Sequence, residues 1–406
     1  MTSIGSVFIN AINIKTGGGL QKTQSFLRES ASGATNEDPT WFVVKGSALH
    51  EECVRSRVRH VAIAPGLMSR LRFEFAAGRL LTKESVCFNV GGPVLLGSLL
   101  RGARNVSECA YSNLFYPEID FWRYESFFRK QQRKLIDLYR KALLSVADFM
   151  FVQTTAISDR AVDFGLFDAK HLAVIGASPS NVIDRNQKDL AFFEVLLSTF
   201  AGRFTVLFPC GPQRNKRLDL LPAVAARLKE LGVSVPLFVL LLPEGDRYLQ
   251  EILGEAQRLR CEDYFLSLGP RRGAEYSSVL AASDAVANIS VLESFSNSFI
   301  EAWKFGKFLI VSDSDWARSS AGDSAVFVDP CNADEFAQVL IGCVNSADSW
   351  RLEMIERGAR QLQLFPSPAE KAGNYIAVLT SFIERRSWAS RLRSFARWLV
   401  MRKGGK

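Results

Sequence analysis

The chain opens on SVFINAINI (residues 6–14), a run of β-branched and aromatic residues that predicts a strand. It stops at KTGGGLQKTQSFLRES, where Gly17, Gly18 and Gly19 lead into apolar positions at helical spacing, so the pattern predicts strand, glycine loop, helix. WFVVK (41–45), VRHVAIA (58–64) and SVCFNV (85–90) predict further short buried strands with helices or loops between them. A helical period runs from Tyr124 to about Leu144 through FFRKQQRKLIDLYRKALL, and DFMFVQT (148–154) predicts another strand. Alternation of this kind predicts an α/β domain on a parallel sheet.

After AVIGASPS the pattern turns polar until FTVLFPC begins at Phe204, which places a boundary between about 176 and 202. The second half repeats the logic. FTVLF, PLFVLLL, YFLSLG, DAVANIS, FLIVS and AVFVD predict six strands, with helices around LLPAVAARLKEL, up to Leu259, in EYSSVLAAS and after ESFSNS. This predicts a second doubly wound unit, whose ligands lie at the carboxyl ends of the strands. The expected division is 1–185 for an acceptor-side domain, 186–380 for a donor domain, and 381–406 for a basic amphipathic tail.

Length supports that division, because 406 residues exceed one compact core and two domains imply a cleft. The seven cysteines are scattered and form no CxxC pair, which argues against a disulfide framework or zinc cluster and for a reducing cytoplasm. The N-terminus lacks a basic, then apolar, leader pattern, and no apolar run nears the roughly 20 residues of a membrane span. The expectation is therefore a cytoplasmic chain, and the sequons at Asn105 and Asn288 are read as chance.

A net charge of +8 points to an anionic partner, yet there is no zinc-finger spacing or RNA-binding signature, so nucleic acid is not expected. In the tail, Trp388, Leu392, Phe395 and Leu399 recur at helical spacing among arginines. This fits a helix on an anionic membrane surface, on the inner face of the cell membrane, and equally a helix packed back on its own protein with a solvated basic face.

Three loops could carry chemistry. In ESFSNSFIE (293–301), Ser296 and Asn297 suit a helix N-cap, so the amides near Ser298 would form an anion site between Glu293 and Glu301. Carboxylates there accept hydroxyl groups, and a ribose or hexose offers pairs of them. The alternative is a dipole-favouring Glu301 and a solvated Glu293. In FPCGPQRNKRLDLL, Gly211 and Pro212 form a turn, and Arg214, Lys216 and Arg217 could neutralise a diphosphate as charge develops on it. At Gly17–Gly19 a ligand could approach the backbone. His50, His60 and His171 lack metal-ligand spacing. DSD at 313–315 offers Asp313 and Asp315 as a less favoured metal site.

With those loops in order, the chain resembles the family 4 (group 1) glycosyltransferases. The match is E-x7-E from Glu293 to Glu301, followed by AWKFGKFLIVSD, which looks like the family's EA-x-x-x-G-x-P-[VL]-I-x-[ST]-D with Phe308 at the proline. It covers about 204–345, supported by INAINIKTGGGLQ at the start. The resemblance implies the GT-B fold: two facing Rossmann-like domains, a cleft between them, and a C-terminal helix crossing back. It implies a retaining, metal-independent hexosyltransferase with no cofactor, using a nucleotide diphosphate sugar and a glycan or lipid-linked acceptor, as in bacterial surface polysaccharide assembly.

By resemblance, Glu293 contacts the donor sugar and Glu301 the ribose. Phe295, Ser296, Asn297 and Ser298 hold the diphosphate, and Lys216 with Arg214 stabilises it on leaving. The chain departs from the pattern at Pro212, where the family has its arginine, and at Ser294 and Ser296, where it has glycines. The family's N-terminal-domain histidine has no counterpart in CFNVGGPVLLGS or SECAYSNLFYPE. The readings left beside transfer are a nucleotide-sugar-binding protein without activity and a metal-dependent transferase using Asp313 and Asp315.

Overall fold

The computed structural model describes residues 6–15, 17–32, 38–180 and 183–384. The predicted tail, 385–406, lies outside them. The chain divides into two compact units, residues 1–178 with 366–406, and residues 179–365.

The first unit runs β1 (Val7–Asn10), α1 (Gly17–Ala31), β2 (Thr40–Val44), α2 (Ala48–Arg55), β3 (His60–Ile63), α3 (Leu67–Ala76), β4 (Val86–Asn89), α4 (Leu96–Leu100), β5 (Arg104–Glu108), α5 (Phe127–Leu144), β6 (Phe149–Val152), α6 (Thr155–Asp163) and β7 (Leu172–Val174). Its strands form a parallel sheet in the order β3-β2-β1-β4-β5-β6-β7. The second unit runs α7 (Leu190–Phe200), β8 (Phe204–Phe208), α8 (Leu221–Glu230), β9 (Pro236–Leu240), α9 (Arg247–Arg258), β10 (Phe265–Ser267), α10 (Gly273–Ala282), β11 (Ala285–Asn288), α11 (Asn297–Phe305), β12 (Phe308–Ser312), α12 (Asp315–Ala321), β13 (Val326–Val328), α13 (Ala333–Asn345) and α14 (Asp348–Leu362). Its sheet order is β10-β9-β8-β11-β12-β13. Each order contains the doubly wound 3-2-1-4-5-6 arrangement, with a switch point between β1 and β4 in one sheet and between β8 and β11 in the other.

The central strands of both sheets, such as VFIN in the first and FTVLF in the second, are buried at every position, as a sheet covered on both faces requires. Two strands of the first sheet escape the sequence pattern. Strand β5, RNVSE, is mostly polar yet buried, because Asn105 Nδ2 donates to the Ala103 carbonyl (2.9 Å) and Glu108 takes the Lys22 ammonium at 2.7 Å. Strand β7 is only three residues long.

Five expectations are corrected. The first strand ends at Asn10 rather than at residue 14, and residues Gly17–Gly19 are the first turn of α1 rather than a loop before it. The stretch 176–202 is not simply a polar connection, because it holds α7. That helix has apolar residues around its circumference, Leu196 and Phe200 buried but Leu190, Val195 and Leu197 exposed, so it shows no single stripe. The helix predicted from Tyr124 begins at Phe127. The domain boundaries fall at 178/179 and 365/366, not at 185/186 and 380/381, because α15 (Pro368–Glu384) belongs to the first unit.

Within that unit Tyr375 of α15 packs edge-on to Phe26 and Phe151, at 5.3 and 4.9 Å between ring centroids. Its hydroxyl donates to Glu108 Oε1 at 2.7 Å, and Lys371 Nζ donates to the Gly176 carbonyl at 2.7 Å. Burial would push the Glu108 carboxyl up, but the Lys22 and Lys371 cations outweigh it and hold the group at about 2. A buried ion cluster thus ties α1, β5 and α15 together.

Candidate functional site

The switch point of the second sheet lies between the loops that follow β8 and β11. The first loop passes through Gly211 and Pro212, forms a single 3-10 turn at Arg214–Lys216, and then places Arg217 in the left-handed region at φ 55°. One asparagine joins it to its neighbour by accepting one hydrogen bond and donating another. Val291 N–H donates to the Asn215 carbonyl at 2.8 Å, and Asn215 Nδ2 donates to the Leu292 carbonyl at 3.2 Å.

Lys216 and Glu293 meet there. Lys216 Nζ donates to Glu293 Oε1, with the two side chains 18% and 13% exposed. The same oxygen accepts from Asn288 Nδ2 at 3.0 Å and lies 2.6 Å from Ser290 Oγ. Burial works against the Lys216 ammonium, but the Glu293 carboxylate prevails and raises its pKa above the ordinary lysine value. Beside them burial pushes the Cys210 thiol up to about 12, so it stays protonated. The site is therefore built around an ammonium held in its charged form and paired with the Glu293 carboxylate.

Asn288, the last residue of β11, organises the second loop and is more than one position of a chance sequon. Its Nδ2 reaches Ser296 Oγ at 2.7 Å and Glu293, while its Oδ1 accepts from the Ser290 amide at 3.1 Å. Its terminal position on a strand beside the switch point is the signal that could have found it. Ser296 is the N-cap residue of α11, but its side chain makes no capping bond. Its hydroxyl is committed to Asn288 and to Ser298 Oγ, 2.8 Å away. The N-terminal amides of α11 are therefore not capped by that side chain, and they carry the positive end of the helix dipole. Asn297 opens the helix, and Phe295 packs sideways on Phe299 and Phe365.

Glu301 lies one turn further, on the buried face of α11, where its Oε2 accepts from Tyr276 Oη at 2.6 Å. Burial raises its pKa, only partly offset by that bond and by Lys304. The Tyr276 hydroxyl, held well above its usual value by burial and by Glu301, remains a donor. Tyr276 was not singled out in the sequence, since only the fold brings α10 beside α11.

Phe208, Cys210, Lys216, Asn288 and Ser298 help to line a shallow open recess of about 10 Å³.

The other candidates are placed elsewhere. Arg214 is turned toward α9, paired with Glu251 and 4.8 Å over the Tyr248 ring, rather than toward Glu293. The Gln213 side-chain amide covers Gly211. Asp313 is held by both arms of Arg318, and Asp315 Oδ1 accepts from the Trp316 amide at 2.7 Å. Among the described residues no three His, Cys, Asp or Glu side chains cluster as metal ligands. The His50 and His60 rings pack at 5.3 Å, and His171 lies 3.9 Å from Asp168.

Gly17–Gly19 belong to the first unit, where the switch point carries its own asparagine pair, Asn10 Nδ2 donating to Asn89 Oδ1 at 2.9 Å. Gly91, at φ 62°, closes that loop, because a Cβ there would stand 2.9 Å from Ile14 Cδ1.

Residues 203–346 match the family model described as glycosyl transferases group 1. No curated protein sequence matches the chain. Among solved structures it resembles Anabaena HepE in complex with UDP-glucose, with TM-score 0.68, 16% identity, and 93% of this chain and 99% of that one covered. It resembles a glycosyltransferase from Rickettsia africae at TM-score 0.70 and 12% identity, covering 95% and 100%. It is also similar to sucrose-phosphate synthase from Thermosynechococcus elongatus, at 0.69 and 16%, covering 93% and 99%. The chain has the GT-B fold, and the unit that pairs Lys216 with Glu293 contains the segment, residues 203–346, that matches the glycosyl transferases group 1 model.

Proposed function

We propose that the protein is a retaining glycosyltransferase that moves a hexose-type sugar from a nucleotide diphosphate sugar to a glycan or lipid-linked acceptor, without a metal. The observation that carries this reading is the Lys216–Glu293 pair at the switch point, beside the side-chain-uncapped start of α11. An ammonium has three N–H donors, and Glu293 takes one. The others serve a diphosphate, whose charge grows as the sugar leaves, so Lys216 favours the transition state more than the ground state.

Ser296, Asn297 and Ser298 start the helix that receives the diphosphate, with Phe295 as its hydrophobic support. Glu293 accepts hydroxyls of the sugar. Glu301, carried by Tyr276, accepts those of the ribose. Arg214 supports the same charge once it leaves Glu251. The complex of Anabaena HepE with UDP-glucose supports this class of donor, and retention follows from the resemblance to family 4. The first unit, with Gly17–Gly19 opening α1, is the acceptor side. A metal-dependent reading through Asp313 and Asp315 is disfavoured by the hold of Arg318 on Asp313.

The test is turnover of a panel of nucleotide sugars, followed as released nucleoside diphosphate and as transferred sugar, with and without EDTA. Transfer that survives EDTA and is lost in Glu301→Ala supports the proposal. Binding of nucleotide sugar with no turnover on any acceptor overturns it in favour of a binding protein.

A further inference from the structure

Helix α5 is amphipathic in the unusual sense, with its apolar face turned outward. Its inner side is anchored by Asp137, which accepts from Asn113 Nδ2 at 2.7 Å and Trp122 Nε1 at 2.6 Å and pairs with Arg140 at 3.0 Å. Arg140 and Arg133 stack over Tyr111 and Trp122, at 4.1 and 5.1 Å. These contacts fix the helix's rotation. On the other side Phe127, Phe128 and Leu135 are 70%, 84% and 69% exposed, with Leu138 and Tyr139 exposed beside them. At 3.6 residues per turn these five span an arc of about 120° on a helix about 27 Å long.

Two further observations bear on what covers this stripe. First, α5 carries six Lys and Arg residues against one Asp, and of these Lys134 lies along one edge of the stripe with Lys130, which pairs with Asp120, while Arg129 lies beyond the other. A second copy would set like charge against like charge. The chain's own segment 385–406, with eight Lys and Arg and no acid, would do the same. Second, α3 belongs to the same unit. It exposes Met68, Leu71 and Phe75 at spacing i, i+3, i+7. An apolar stripe edged by cations is complementary to a bilayer with anionic headgroups, with the rings at the acyl boundary and the cations at the phosphates.

We propose that α5 is a docking surface that lays the first unit on an anionic lipid bilayer through Phe127, Phe128 and Leu135. This does not depend on the proposed activity, and the test needs no substrate. The full chain is floated with phosphatidylcholine vesicles and with vesicles that also contain phosphatidylglycerol. The expected result is partition that is at least about tenfold stronger with phosphatidylglycerol and weakens with added salt.

In the full-length variant F127S/F128S/L135S that partition falls by at least about tenfold, while thermal unfolding is unchanged because the three side chains are exposed. A tryptophan placed by Phe128→Trp shifts its emission to the blue on the anionic vesicles. The proposal is overturned if the triple variant floats like the parent. It is overturned equally if neutralising Arg391, Arg393, Arg397, Arg402 and Lys403 to Gln abolishes a partition that the triple variant keeps. A parent chain that ignores both vesicles but self-associates through the stripe would also overturn it.

Discussion

Lys216 and Glu293, 77 residues apart in sequence, form an ion pair that joins the two loops flanking the switch point of the second sheet. Each loop alone is an ordinary strand-to-helix connection. Their junction sets one cation and one carboxylate at the start of α11.

Replacing Lys216 by Ala removes the charge proposed to stabilise the leaving diphosphate. The expected loss in kcat is about 10²–10³-fold, typical of one preorganised electrostatic group. Steady-state release of nucleoside diphosphate measures it, and a rate within a few-fold of the parent would show that the leaving group is stabilised elsewhere.

Tyr276→Phe leaves Glu301 buried without its 2.6 Å donor. An unsatisfied buried acceptor costs about 1–3 kcal/mol, so the urea midpoint should fall. The proposed ribose role adds weaker binding of nucleoside diphosphate by calorimetry, and an unchanged affinity would confine the tyrosine to stability.

Asn288 holds Glu293, Ser296 and Ser290 at once. Asn288→Ala should cost about 1–3 kcal/mol through those unpaired groups. Asn288→Asp should cost more, because it puts a second carboxylate against Glu293. Chemical denaturation ranks the two, and the reverse order would remove Asn288 as the organiser of the loop.

Two glycines in helices give opposite signs. A Cβ on Gly358 would lie 2.5 Å from Cδ1 of the buried Trp303, whose ring is backed by Phe299 and Phe365, whereas one on Gly342 meets nothing within 4 Å. Gly358→Ala should destabilise by about 1–3 kcal/mol through overpacking. Gly342→Ala should stabilise by up to about 1 kcal/mol through helix propensity. Melting temperatures distinguish them directly.

Glu108 gives the acid response a direction. Its carboxyl is held at about 2 in the fold, below its unfolded value near 4.3, so its contribution is present above about 4.3 and is lost as the pH falls through the folded value. As the pH is lowered from about 4.3 toward about 2, the thermal unfolding temperature should fall more steeply for the parent than for Glu108→Gln. Parallel curves would mean that the buried cluster contributes nothing there.

By itself the sequence determined the α/β class, the six strands of the second half, and the Glu293–Glu301 spacing, because buried parallel strands and a helix turn leave local patterns. Strand β5 was hidden because its polar residues find partners only in three dimensions. The return of α15 was hidden because the contacts of Tyr375 with Phe26 and Phe151 are distant in sequence. Tertiary structure alone decided that Asn288 is the hub, that Tyr276 holds Glu301, and that Arg214 turns to Glu251. It also decided which way α5 faces. Periodicity records that a helix has an apolar stripe, but what covers that stripe is a property of neighbours that the local pattern does not encode.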